Sequence, residues 1–498
     1  MKKVAYEGFK ERLLYIQDFF KGGDSLVNPS STGYGKTSIT VRTMDSENNV
    51  QLSTRALNSY LIPFDAEATD DFLKRQNRTF YFNLVSQVVN AYSDAVTSKV
   101  SRNFDSLEPF VNSNVDYRES TWSEFIASNA KFTALFGFTA TYVDYVVPEG
   151  VNTLAGVIES DSGPKCILIN PLQFAWVAVS QKGEVEEFAW YESADDTGNN
   201  NVKSVSIRIV NKEGWMVVQG AVNVTNMNSG MPSDTKIVDQ GKHPASLNGK
   251  LPVVFNFYDR DYTTSYPYGK SLVNDLVDVA RAVYNYNSMV TDIHKGTFPI
   301  LTVPLARTGG VMPPKTEIAV GSTNALPYDS ETGTPNYISP SSEPPRELRE
   351  HISYIIRTAY QQLGLTLTLD SSAQIQSGEA LKIRSREFES YASKFASNML
   401  KFEMKVLDLF NAYLGLDAQY SIAYPKTFSI PQTKEDLDNA KTLLDVPFIS
   451  NEGKVAALKQ MLSVALSLSD EEMNSVLKGS TVKLTAQTIS TLPATTPV

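Results

Sequence analysis

Hydrophobic positions recur most regularly between Ser377 and Gly415, in the run SGEALKIRSREFESYASKFASNMLKFEMKVLDLFNAYLG. Phe388, Phe395, Phe402 and Leu409 stand seven residues apart, and Ala392, Met399, Val406 and Tyr413 form a second such row four positions further on, so both rows share one helix face. Lys382, Arg386, Glu389, Lys394, Lys401, Glu403 and Lys405 fall mostly on the remaining surface. Ser377 is a good N-cap, Glu379 places a carboxylate near the positive end of the dipole, Gly415 stands where a glycine ends helices, and no proline intervenes. At a rise of about 1.5 Å per residue the predicted helix is about 55 Å long. Alone, the stretch also fits a coiled-coil or bundle helix.

Other amphipathic stretches surround it. Phe9, Leu13, Ile16 and Phe20 predict a short helix near the N-terminus. Asp65 to about Lys99 reads as one long helical segment, with Phe72, Gln76, Phe80, Leu84, Val88, Tyr92 and Val96 at spacings of four and Lys74, Arg75 and Arg78 on other faces. Thr121 and Glu124 form a capping box for a helix that Gly137 ends, and Phe138 to Val147 reads as a strand. Between Ala155 and Tyr258 the pattern changes to short strands, at Cys166 to Ile169, Phe174 to Val179, Phe188 to Tyr191, Val202 to Val210, Trp215 to Val218 and Val253 to Phe257. Turn-forming segments separate them, as in an antiparallel meander. Trp176, Trp190 and Trp215 read as core anchors.

Ser271 is placed to cap a helix with a buried stripe of Leu272, Leu276, Val279, Val283, Tyr286, Val290 and Ile293, which Gly296 and Pro299 terminate. Strand candidates Ile300 to Leu305, Thr316 to Val320 and Asn336 to Ile338 follow, among Gly-Gly and Pro-Pro turns. Pro344 and Pro345 start the next helix, with Leu348, Ile352, Ile355, Ile356, Ala359 and Leu363 on its stripe and Gly364 at its close. A mostly polar loop from Leu365 to Gln376 leads into the long helix. Beyond it, Tyr420 to Ile430 reads as a strand pair or an extended crossing, Lys434 to Leu444 and Ser450 to Leu466 as short helices, and the Thr-rich stretch after Gly479 as a mobile tail. Long amphipathic helices with segregated strands make an α+β chain.

Composition narrows the chemistry. Hydrophobic residues make up 42% and charged residues 20%, as in a folded soluble protein. The net charge of -10 disfavours tight general binding to nucleic acid, which needs basic excess, while leaving room for a local basic ring. Cys166, the only cysteine, has no intrachain disulfide partner, and there is no Cys/His cluster for zinc, which suits assembly in a reducing cytoplasm. No apolar run nears the roughly 20 residues of a membrane span, and Glu7, Glu11 and Arg12 interrupt any signal peptide.

Catalytic constellations are scarce. The three histidines, His243, His294 and His351, have no ligand spacing. Asp259 and Asp261 flank Arg260, as an exposed turn with a local ion pair would. Gly35-Lys36-Thr37 looks like the end of a P-loop, which would make the chain a nucleotide hydrolase. However, Ser30 stands where the first glycine belongs, Val27-Asn28-Pro29 precedes the loop instead of a buried strand, and strand-like Ser38 to Val41 follows instead of a helix. No catalytic, cofactor or metal site is expected.

Four segments carry a resemblance. They are Asp65 to Lys99 with its LKRQNRTFYFNLV core; TWSEF through ALFGFTATYVDY, from Thr121 to Tyr145; YPYGKSLVNDLVDVARAVYNYNSMVTDIHKGTFPIL, from Tyr266 to Leu301; and Gln361-Gln362-Leu363-Gly364 followed by Ser377-Gly378-Glu379-Ala380-Leu381-Lys382. In this order, over most of residues 60 to 480, the chain resembles the portal proteins of tailed bacteriophages. The resemblance implies a ring, usually a dodecamer, at one capsid vertex, assembled in the host cytoplasm, without membrane contact, cofactor or enzymatic activity. It assigns 1–268 with 378–420 to a wing, 269–297 and 344–363 to stem helices, 298–343 to a clip, 364–377 to a tunnel loop, 421–478 to a crown and 479–498 to a tail. The implied partners are further copies of the chain, the terminase large subunit, head-to-tail adaptors, major capsid and scaffolding proteins, and double-stranded DNA in the channel. Asp370, Ser371, Ser372, Gln374 and Gln376 would then lie near DNA; Lys295, Arg346 and Arg349 would form a basic ring on the stem; and Arg307, Lys315 and Glu317 would meet partners at the clip. Another head-completion or tail component of the virion is the remaining structural alternative.

Overall fold

The computed structural model describes residues 2–44, 50–65, 67–112, 114–145, 153–160, 162–196, 202–223, 233–296, 300–305, 325–329, 336–338, 341, 343–365, 378–425 and 428. The chain divides into two units, Met1–Phe428 and Ser429–Val498. The second lies outside the described residues, and with it the helices expected after Lys434 and the expected mobile tail.

The first unit is α+β. Its largest core is helical and gathers around the predicted long helix, Gly378–Leu414. Both apolar rows point inward: Ala392, Met399, Val406 and Phe395 are fully buried, and Phe402, Leu409 and Tyr413 nearly so. Along its length the helix meets different partners. Phe388 packs edge-on to Tyr92, Phe395 to Tyr258 at 5.2 Å and Phe410 to Trp122, and the Tyr413 hydroxyl donates to the Val143 carbonyl. The helix therefore ties together segments from 137 to 296 residues earlier in the chain. Gly415 follows in the left-handed region at φ 64°.

Beneath it lies the helix Trp122–Phe136, opened by the reciprocal capping box of Thr121 and Glu124 and closed by Gly137 at φ 90°. A Cβ at Gly137 would stand 2.4 Å from the Lys270 backbone, so both the turn and this approach require glycine. The strand Phe138–Asp144 then sits between Val253–Phe257 and Lys165–Ile169 in a three-stranded antiparallel sheet. A second sheet of six strands runs in the order Lys2–Ala5, Phe174–Val179, Val185–Asp196, Val202–Asn211, Gly214–Asn223, Ser233–Lys242. The expected single meander is thus two sheets, because Lys165–Ile169 and Val253–Phe257 pair with the strand after Gly137. Trp176 and Trp190 are core residues of two separate clusters on the six-stranded sheet, and Trp215 is partly buried against the one that holds Trp190.

Four further expectations change. The chain opens with an edge strand, Lys2–Ala5, before the helix Glu7–Lys21, since the alternation Lys2 to Ala5 matches Val179 to Trp176 in register. The segment from Asp65 is two helices, Thr69–Arg78 and Leu84–Thr97. Thr79 to Asn83 are non-helical, and the Asn83 side chain caps the second helix by accepting from the Ser86 N–H. Ser271 does not cap a helix directly. Its hydroxyl donates to the Leu135 carbonyl, turns occupy the next residues, and the helix is Leu276–Gly296. Asp259 pairs with Lys394 of the long helix at 2.7 Å, not with its neighbour Arg260.

Two charged residues expected at the surface are buried. Arg75 is 2% exposed and forms a bidentate pair with Glu67, at 2.6 and 2.8 Å, beneath the Phe64 ring. Glu403 is fully buried in the middle of the long helix, where its carboxylate accepts from Arg102, from the Trp122 indole N–H at 3.0 Å and from the Tyr424 hydroxyl. Burial would lower the Arg102 pKa, but the hydrogen bond and charge of Glu403 raise it. Burial, and then the Glu403 charge, push Tyr424 well above its ordinary value. Every lone pair that this carboxylate exposes to the core therefore meets a donor.

Candidate functional site

The P-loop candidate is a loop already filled by carboxylates. Asp18 is fully buried and accepts from the Ser30 N–H at 2.7 Å, the Ser31 N–H at 3.3 Å and the Tyr60 hydroxyl at 2.7 Å. Glu11 accepts from the Gly33 N–H and from the hydroxyls of Ser31 and Thr32. Burial works against the Glu11 charge, but those donors outweigh it and lower its pKa. Amides that a phosphate would need are thus turned onto the protein's own anions. Lys36 is exposed and begins the strand Lys36–Met44, so no helix N-terminus faces the loop.

The feature with open chemistry is a pair of helices, Leu276–Gly296 and Glu343–Gln362. They run antiparallel: His294 meets Arg349 near the end of one and the start of the other, and Tyr286 stacks edge-on to His351. The returning helix is anchored at its C-terminal end, where the Tyr360 hydroxyl donates to Gln87 at 2.9 Å and Gly364, at φ 67°, lies against the Phe388 backbone. At Gly364 a Cβ would come within 2.5 Å of that backbone, so glycine is required where the pair joins the long helix. Between the distal ends, Ile300–Leu305 pairs parallel with Ala325–Asp329 and antiparallel with Asn336–Ile338. The expected strand at Thr316 to Val320 lies outside the described residues.

Two depressions with mainly apolar walls lie on opposite faces of the first helix, one of them shared with the second helix. One, of about 680 Å³, is lined by Phe80, Phe82, Val290, Ile352, Ile356 and Tyr360, with Asn287 at its floor and His294 and Arg349 at one end. Phe80 and Phe82 are 53% and 48% exposed and pack edge-to-face on each other. Asn287 is 6% exposed, and its NH2 group finds no acceptor among the described residues. A depression of about 550 Å³ on the opposite face of the first helix is lined by Ile62, Pro63, Phe64, Tyr286 and Met289, with Asp278, Arg281 and Asn285 beside them.

Of the residues singled out from sequence, Arg346 and Arg349 are exposed on the second helix of the pair. Arg346 pairs with Glu350 at 3.6 Å along the same helix, and Arg349 contacts His294. Lys295 lies in the last turn of the first helix. Asp370, Ser371, Ser372, Gln374, Gln376, Arg307, Lys315 and Glu317 lie outside the described residues. The residues that sequence reading missed are Phe80, Phe82, Asn287 and Ile62. The aromatic run Phe80-Tyr81-Phe82 directly precedes an Asn cap, but only the packing shows that Tyr81 turns inward, its hydroxyl donating to the Phe19 carbonyl, while the rings on either side stay uncovered. Among the described residues no group of three or more His, Cys, Asp or Glu is arranged to hold a metal, and no helix is long and apolar enough to cross a membrane.

The sequence matches no family model and no curated protein. In structure the chain is similar to a chain from the virion of a native gene transfer agent particle. The TM-score is 0.40 at 14% identity, over 78% of this chain and 93% of that one. It is also similar to a chain from the neck of an empty gene transfer agent particle computed with C6 symmetry. Here the TM-score is 0.41 at 12% identity, over 75% of this chain and 89% of that one.

Proposed function

We propose that the chain is a portal protein, a non-enzymatic ring at one capsid vertex of a tailed phage-like virion through which the genome is packaged and ejected. The observation that carries this reading is the antiparallel helix pair with uncovered apolar surface on two opposite sides, Phe80 and Phe82 on one and Ile62 on the other. Two different sticky sides on one protomer are closed by head-to-tail contacts around a ring and not by a two-fold dimer. The ordered sequence resemblance supports the same assignment. A conduit needs no bond-breaking group, and the loop that resembles a nucleotide site has its amides engaged by Asp18 and Glu11, which supports leaving ATP hydrolysis to a separate motor. The segment after Leu365, with Asp370, Ser371, Ser372, Gln374 and Gln376, would touch passing phosphates weakly, without the counterion release that stalls movement. Terminase and the head-to-tail adaptors would meet the distal strands between the paired helices.

Electron microscopy of the purified chain should show large rings with a central hole. A monodisperse monomer across protein and salt concentration would overturn the proposal. Replacing Asp370 to Gln376 with a Gly-Ser linker should spare ring formation and cut the number of packaged genomes; normal genome counts would remove that loop from the mechanism.

A further inference from the structure

We infer that the 680 Å³ groove is the socket for the next copy of the chain, filled by the Ile62–Tyr286–Met289 side of its neighbour, with Arg349 of one copy set against Glu347 of the next. This rests on the ring reading and adds which faces meet, in what direction and in what register.

Three observations fix the match. The first is charge. Glu347 and Arg349 are both exposed on one helix, and at about 100° per residue they project from opposite sides of it. Arg349 lines the groove beside His294, whereas Glu347 lies one turn from His351, which contacts Tyr286 on the other side. One flank of the pair therefore ends in a basic rim and the other carries a carboxylate, only about 3 Å apart in height.

The second is level. The Ile62 N–H donates to Asn285 at 2.8 Å, so this exposed side chain stands beside the middle of the first helix. Phe80 and Phe82 line the groove whose lining on the same helix begins at Asn287, two residues on, and their neighbours Tyr81 and Arg78 contact Tyr284 and Asp292 of that helix. Copies related by rotation about an axis along the helix pair keep their heights, so apolar surface meets apolar surface while Glu347 meets Arg349. The third is the orphaned Asn287 amide. A buried donor without an acceptor is costly, and a second copy laid over the groove is the means by which this one is both sealed and supplied with a partner.

Glu347→Arg and Arg349→Glu provide the test, since both side chains are exposed, and circular dichroism of each variant checks that the helix pair stays folded without the Arg349–His294 contact. Each variant alone should lose rings at low salt, because every interface would then oppose two like charges, and should regain them partly as salt screens the repulsion. An equimolar mixture of the two should recover rings, because alternating copies restore an Arg–Glu contact at every junction. Phe80→Ser with Phe82→Ser should also lose rings while circular dichroism stays that of the wild-type fold, the thermal midpoint falling only by the share that assembly contributes. If wild type forms rings and both charge reversals do so equally well at low salt, or the mixture shows no recovery, the socket assignment is wrong while the ring reading stands. If wild type itself stays monomeric, both fall.

Discussion

Phe395→Asp in the long helix is expected to leave no assembled rings and little folded chain. The Phe395 ring is fully buried, packs on Tyr258 at 5.2 Å, and sits between the equally buried Ala392 and Met399. Truncating a buried phenylalanine costs about 3–5 kcal/mol through lost contacts and the cavity left behind. Aspartate adds to this a carboxylate with no donor in reach, or a proton uptake that costs further free energy. Such a sum is comparable with the whole stability of a typical domain, about 5–15 kcal/mol. Phe395→Leu keeps most of the volume and should cost about 1–2 kcal/mol, with rings intact. Urea unfolding of the soluble fraction and ring yield by sedimentation measure both. A Phe395→Asp chain that assembles at wild-type yield would mean that this row of the helix does not face the core.

That residue was legible from sequence because its environment is periodic: any helix through Ser377 to Gly415 must put Phe395, Phe402 and Leu409 on one side. The capping box at Thr121 and the stop at Gly137 were legible for the same local reason, since all the interacting groups lie within a few residues. Where periodicity continued across a break it misled. Phe72, Gln76, Phe80 and Leu84 keep a spacing of four through Thr79 to Asn83, yet Tyr81 is drawn inward to Phe19 and Asn83 starts a new helix. The strand Ser233–Lys242 gave no signal, because it is an edge strand whose described residues are almost all exposed and no apolar alternation is imposed on it. The groove was illegible for another reason. It is assembled from the residue 80 region and two helices about 200 and 270 positions later, and only their packing shows that Phe80 and Phe82 are left uncovered.

Glu403→Ala is the substitution whose cost periodicity would most understate. Placed by spacing alone, Glu403 is one more surface carboxylate, worth less than about 0.5 kcal/mol when removed. In the fold it is fully buried and its partner Arg102, 301 positions away, has a side chain only 7% exposed. Deleting the carboxylate leaves the guanidinium, the Trp122 indole N–H and the Tyr424 hydroxyl without their acceptor, which should cost about 3–5 kcal/mol. The loss should also be felt beyond the helix, because Arg102 is the middle residue of the strand Ser101–Asn103 and Tyr424 directly follows its partner strand Ser421–Ala423. Removing both charges together, with Arg102→Met and Glu403→Leu, should recover much of the stability, since a buried pair gains little over apolar residues of similar size. Urea midpoints for the two single variants and the double variant, at one fixed chain concentration, decide the matter. A Glu403→Ala chain within about 0.5 kcal/mol of wild type would mean that the carboxylate is solvated and that this junction is held by something other than the ion pair.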